Sequence, residues 1–106
     1  DENHSDHFLL LSQCFFKLRN FAKSLEFINK YITYKPRDIQ GFLTGGWLCI
    51  EMKNFEEANN FFDMAMGIIP DLPEAIYGKG LVLKNQGQDY ELYQRILSSV
   101  DNDLII

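Results

Sequence analysis

Basic residues are scarce in this sequence. Ten Lys and Arg stand against 15 Asp and Glu among 106 residues, for a formal charge of −5. That balance, with an isoelectric point near 4.8, excludes the usual nucleic-acid binder, which needs a basic face to displace counterions from phosphates. Cysteine is also rare: Cys14 and Cys49 are too few for a disulfide framework and form no CxxC pair. Both sit in apolar surroundings, where a free thiol behaves as a small hydrophobe. A reducing compartment, the cytoplasm, is therefore expected. The longest apolar runs, such as Phe8 to Leu11, fall far short of the roughly 18 residues that span a bilayer, so no membrane insertion is expected. The Asp-Glu-Asn-His start lacks the basic and apolar stretches of a secretory leader. Period-two alternation and Asn-Gly or Asp-Gly hairpin turns are missing too, which removes the usual signals for strands.

What remains is a chain that is 46% hydrophobic and 14% aromatic. That is too apolar for a disordered tail and the right size for a single domain, residues 1–106. The sequence also matches itself at one spacing. Pro36 recurs as Pro70, Asn20-Phe21 as Asn54-Phe55, and Gly46 as Gly80, all at the same interval. Ser24 and Ala58 add a small pair at that interval, and Ile28 and Phe62 a large one. Within each period the spacing is helical: Phe8, Leu11 and Phe15, with the small Ser12 between them, follow i, i+3, i+4, i+7. A break at Arg19-Asn20 precedes a second stripe through Phe21, Leu25, Ile28 and Ile32, which Pro36 ends. Period two runs from Phe42 to Met52, breaks at Lys53-Asn54, and resumes from Phe55 to Ile69 before Pro70. Period three opens on Asp71 as an N-cap with Pro73 in the first turn, breaks at Gln86-Gly87, and resumes from Tyr90 to Val100. Six helices in three antiparallel pairs are predicted, with repeats at about 5–38, 39–72 and 73–106.

A helix pair recurring every ~34 residues resembles the tetratricopeptide repeat, with its W-x2-L-G-x2-Y, A-x3-F, A and P signature. The second repeat matches through Phe42, Gly46, Cys49, Ala58, Phe62, Ala65 and Pro70. The first offers Phe8, Leu11, Ser12, Phe15, Ser24, Ile28 and Pro36; the third offers Ile76, Gly80, Leu83, Gly87, Ile96 and Ser99. Departures are Tyr31 and Leu92 at small positions, Gly45 and Lys79 for leucine, and Leu104 for the closing proline. The resemblance implies an all-α, right-handed superhelical solenoid of three hairpins that buries its core only by stacking. It also implies a non-enzymatic protein–protein interaction module, an adaptor, scaffold or chaperone, with a protein or peptide partner. A type III secretion chaperone is similar in size, acidity and groove character. A fragment of a longer scaffold is a further alternative.

In this family the first helix of each pair lines a concave groove. The resemblance places there Leu9, Leu10, Gln13, Phe16 and Lys17; Gln40, Leu43, Thr44, Trp47, Ile50 and Glu51; and Glu74, Tyr77, Gly78, Leu81, Lys84 and Asn85. Of these, Leu9, Gln13, Phe16, Leu43, Thr44, Trp47, Ile50, Tyr77, Leu81 and Lys84 are the expected partner-binding residues, with Trp47 as anchor. The set is apolar for a solvated surface, since burying each large apolar side chain is worth roughly 1.5–3 kcal/mol. An apolar helix or extended strip is the expected ligand. Some family members clamp the C-terminal carboxylate of heat-shock chaperones with Lys, Asn and Arg. Here those places hold Leu9, Gln13, Thr44, Glu74 and Gly78, so that clamp is not expected.

The helix from Phe8 to Leu18 is apolar almost all round and wants cover on two sides, which self-association would provide. The last helix has a polar outer face in Glu91, Gln94, Arg95 and Ser98, and the Leu104-Ile105-Ile106 tail has no place in that cap; it is a second candidate for self-association. His4 and His7 with Asp1, Glu2 and Asp6 read as a solvated terminus rather than a closed metal site. Asn3-His4-Ser5 fits a glycosylation pattern of low specificity, and Gly78-Lys79-Gly80 lacks the spacing of a phosphate loop. With no nucleophile–base pairing, neither catalysis nor a cofactor is expected.

Overall fold

The computed structural model describes residues 2–101 and 103–106, with side chains from Ser5 onward. Among these residues six helices follow one another: α1 (Glu2–Lys17), α2 (Phe21–Tyr34), α3 (Ile39–Glu51), α4 (Phe55–Ile68), α5 (Pro73–Asn85) and α6 (Glu91–Val100). They form three antiparallel hairpins stacked into a right-handed solenoid with extents of 41 × 25 × 22 Å.

The turn inside each hairpin is set at the same point of the period. Arg19, Lys53 and Gly87 have φ of 60°, 59° and 71°. Each sits one residue past a helix C-cap, where a left-handed residue lets two backbone N–H groups return to the last helical turn. Arg19 N–H donates to the Phe16 carbonyl and Asn20 N–H to Phe15. Lys53 and Asn54 do the same to Ile50 and Cys49, and Gly87 and Gln88 to Lys84 and Leu83. The asparagines then start the next helix: Asn20 Oδ1 accepts from Lys23 N–H, and Asn54 Oδ1 from Glu57 N–H. Gln88 does not act this way. Asp89 takes over by accepting from Glu91 N–H, and α6 starts two residues later than its counterparts.

That late start moves the buried register of α6 by one residue. Leu97 is fully buried, whereas Ile96 and Leu92 are 40% and 59% exposed and Ser99 is exposed. Ile96 and Ser99 therefore do not occupy the interior positions that the repeat pattern assigns them. The hollow beside Gly80 is filled instead by the tail: a β-carbon on Gly80 would collide with Ile106 Cδ1. Gln94 Oε1 accepts from Ile106 N–H at 2.7 Å, and Gln94 Nε2 donates to the Leu104 carbonyl at 3.4 Å. Two expectations are corrected here. Gln94 holds the tail rather than forming part of a bare polar face, and Leu104 and Ile106 pack on this chain's own α5 and α6. The start of α5 also differs. Its N-cap is the buried Leu72 rather than Asp71, because Pro73 at the first helical position holds the residue before it extended.

The core runs through the stack. Phe62, fully buried, lies between α3 and α5: β-carbons on Gly46 and on Gly78 would each stand 2.5 Å from its Cε1. The departures from the repeat pattern are compensated by neighbours. The large Tyr31 is accepted because Gly41 faces it, and Gly45 makes room for the ring of Phe61. Lys79 reaches out to an ion pair with Asp63.

Candidate functional site

α1, α3 and α5 line one side of the solenoid, and the side chains expected there divide into three groups. Gln13, Phe16, Thr44 and Trp47 come together around a cavity of about 260 Å³ between α1 and α3, completed by Ser12, Lys17, Ser24 and Leu48. Phe16 is 41% exposed at the mouth. Tyr77, Leu81, Ile50 and Leu9 are half-buried, while Lys84 is exposed and sets its ammonium 5.9 Å from the Tyr90 ring. Leu43 does not face the groove. It is 7% exposed and belongs to the core cluster that also holds Phe61, Leu72 and Ala75.

Trp47 is positioned from two sides. Its ring meets Phe62 edge-on at 5.0 Å and 65°, and Tyr77 at 5.9 Å and 60°. Since Phe62 is itself wedged between Gly46 and Gly78, the indole has a firm backing and little freedom to fold away. The cavity floor is polar but satisfied. Ser24 Oγ donates to the Ser12 carbonyl at 2.8 Å, and the two hydroxyls are 2.9 Å apart, both side chains being buried. No buried side-chain polar atom among the described residues lacks a partner. An apolar group entering between Phe16 and Trp47 would therefore displace water without stranding a polar group.

Ser12, Ser24 and Leu48 are not among the expected site residues. The signal for the serines lies in the period itself, since Ser12 and Ser24 stand one full period before Gly46 and Ala58. They are small where helices must approach, and their smallness leaves the floor of the cavity open. A wider trough of about 710 Å³ runs over the turn between the first two hairpins, from Tyr34 to Ile39 and across to Ile68 and Ile69. It is open turn surface and lacks the two facing rings of the α1–α3 cavity.

The cysteines are both free; Cys14 is exposed and Cys49 buried. Burial pushes the Cys49 thiol up to about 11, with Glu57 adding to the shift, so it is inert. Among the described residues no group of three His, Cys, Asp or Glu is placed to hold a metal ion. The terminal cluster involves Asp1 and the side chains of Glu2 and His4, which lie outside the description. No described helix is long and apolar enough to cross a membrane.

No protein-family model matches the sequence, and no curated protein matches it. Solved structures do match. The Arabidopsis OM64 TPR domain superposes with a TM-score of 0.85 at 13% identity, over 96% of this chain and 86% of that one. The fold is the tetratricopeptide repeat. The first TPR of Spaghetti (RPAP3), bound to the HSP90 peptide SRMEEVD, gives a TM-score of 0.85 at 10% identity over 99% of this chain and 85% of that one. MamA from Desulfovibrio magneticus RS-1 gives 0.82 at 20% identity over 94% of this chain, which spans 56% of that structure. At these identities the likeness is one of TPR architecture, and it agrees with the regular recurrence of the hairpin turns at Arg19, Lys53 and Gly87.

Proposed function

We propose that this chain is a non-enzymatic peptide-binding module whose α1–α3 cavity receives one apolar side chain of a protein partner. The observation that carries the reading is the cavity of about 260 Å³ walled by Phe16 and Trp47. Its size suits one leucine, phenylalanine or tryptophan side chain, and Lys17 at its edge favours an acidic residue next to that anchor. Neighbouring TPR structures solved with an HSP90 peptide and with Hsp70 support a peptide ligand in general. The HSP90-type acidic tail is a poor candidate here, because Leu9, Gln13, Thr44, Glu74 and Gly78 offer no cationic clamp and Glu74 repels a carboxylate. A broad chaperone cradle is also disfavoured, since Leu43 is buried and Ile50, Tyr77 and Leu81 are half-buried. A reducing compartment such as the cytoplasm suits the exposed free thiol of Cys14.

The test is an array of short peptides that place Leu, Phe, Trp or Ala at the centre and Asp or Lys beside it. The chain is expected to retain the large apolar anchors with a neighbouring Asp, and the Phe16→Glu variant to lose them. Equal capture of Ala-centred peptides, or unchanged capture by Phe16→Glu, would overturn the proposal. Phe16 is exposed enough for that variant to fold.

A further inference from the structure

On α3 the face turned towards the preceding hairpin is covered: Gly41 lies against Tyr31 and Ile32 of α2, and Leu48 is 1% exposed. One period earlier the same positions are His7 and Cys14, both exposed. They share a row on α1 with Leu11 and with Leu18 at its C-cap, 40% and 75% exposed; Leu10, 58% exposed, borders it. α1 thus carries the apolar side of an inter-hairpin joint with nothing of this chain's described residues upon it. The far end of the solenoid is not its complement, because Leu104 and Ile106 already pack over α5 and α6 there. The charges on α1 are ordered as well. Asp6 near its start and Lys17 at its end lie in one row with Leu10 and Gln13, alongside the apolar row.

We infer that two copies of this chain pair through α1, antiparallel about a two-fold axis near the middle of the helix. Leu10, Leu11, Cys14 and Leu18 of each copy pack between them, and Asp6 of each faces Lys17 of the other. In such an isologous contact every pair occurs twice, so the antiparallel arrangement turns the charge order of one helix into two ion pairs. A parallel two-fold arrangement would put the two charge rows on opposite sides of the seam and form neither pair. Whole-chain charge favours the same ends: residues 1–37 hold six basic and four acidic residues, whereas 38–106 hold four and eleven. Pairing through α1 keeps the two acidic ends apart.

Sedimentation equilibrium of the reduced 106-residue chain tests this. The mass is expected to rise from 12.4 kDa towards twice that value with concentration. The Leu10→Glu/Leu18→Glu variant is expected to keep its helical content, both side chains being solvent-exposed, and to remain at the monomer mass. Asp6→Lys and Lys17→Glu are each expected to weaken pairing about tenfold, and the two together to restore it. Alkylation of Cys14 should slow as concentration rises, with Cys49 silent throughout. A monomer at every concentration, a dimer indifferent to the leucine changes, or a charge swap that fails to restore pairing would each overturn the inference.

Discussion

Phe62 shows how single residues set this structure. Its ring is fixed because α3 and α5 each present a glycine to it, and Trp47 rests on its edge. A methyl group at Gly78 has nowhere to go, since the ring cannot retreat into Gly46. Gly78→Ala is expected to destabilise the fold by about 1–3 kcal/mol in urea unfolding. Gly67 is the counter-case, with no atom within 4 Å of a β-carbon there. In the last turn of α4, where the helix is still intact, Gly67→Ala is expected to stabilise by about 0.5 kcal/mol. Tyr31 makes a different point. It is 4% exposed and donates its hydroxyl to Asp38 Oδ2, and burial followed by that bond and the Asp38 charge push its phenol from 10.0 up to about 12. The protonated phenol is the form favoured by folding, so its contribution is complete below pH 10 and lost as pH rises to about 12. Stability measured against pH should therefore fall more steeply over that interval in the native chain than in Tyr31→Phe; parallel curves would refute the coupling.

At the scale of elements, the hairpin turns carry the repeat period more faithfully than the helices do. Lys53 is held, at a conformational cost, near the left-handed φ that glycine adopts freely at the equivalent Gly87. Lys53→Gly is expected to stabilise by about 0.5–1 kcal/mol, and Asn54→Ala to destabilise by about 1 kcal/mol through loss of the cap to Glu57 N–H. Urea midpoints of the two variants should move in opposite directions. The number, order and breaks of the helices were legible in the sequence because proline, asparagine and apolar spacing act locally. The register of α6 was not. It depends on Gln88 failing to cap where Asn20 and Asn54 succeed, and on Ile106, rather than the nearer Ile96, entering the hollow at Gly80. The start of α5 was misplaced for a similar reason, because Pro73 and burial of Leu72 outweigh the capping preference of Asp71.

For the whole molecule, stacking decides which apolar residues remain available. Gln13, Phe16, Thr44 and Trp47 could be gathered from the first-helix pattern, and they do line one cavity. Leu43 could not be separated from them, since its burial comes from the stacking of hairpins into one core and not from the pattern of α3 alone. The cavity floor at Ser12 and Ser24 was hidden because small polar residues carry no apolar signal. Trp47, the single tryptophan, gives the cavity its own reporter. Its one indole N–H resonance should shift when the chain is titrated with the tightest Leu-, Phe- or Trp-centred peptide from the array, together with the amides of Gln13, Phe16 and Thr44. An indole that stays in place while the peptide binds would contradict the assignment of the α1–α3 cavity as the binding site.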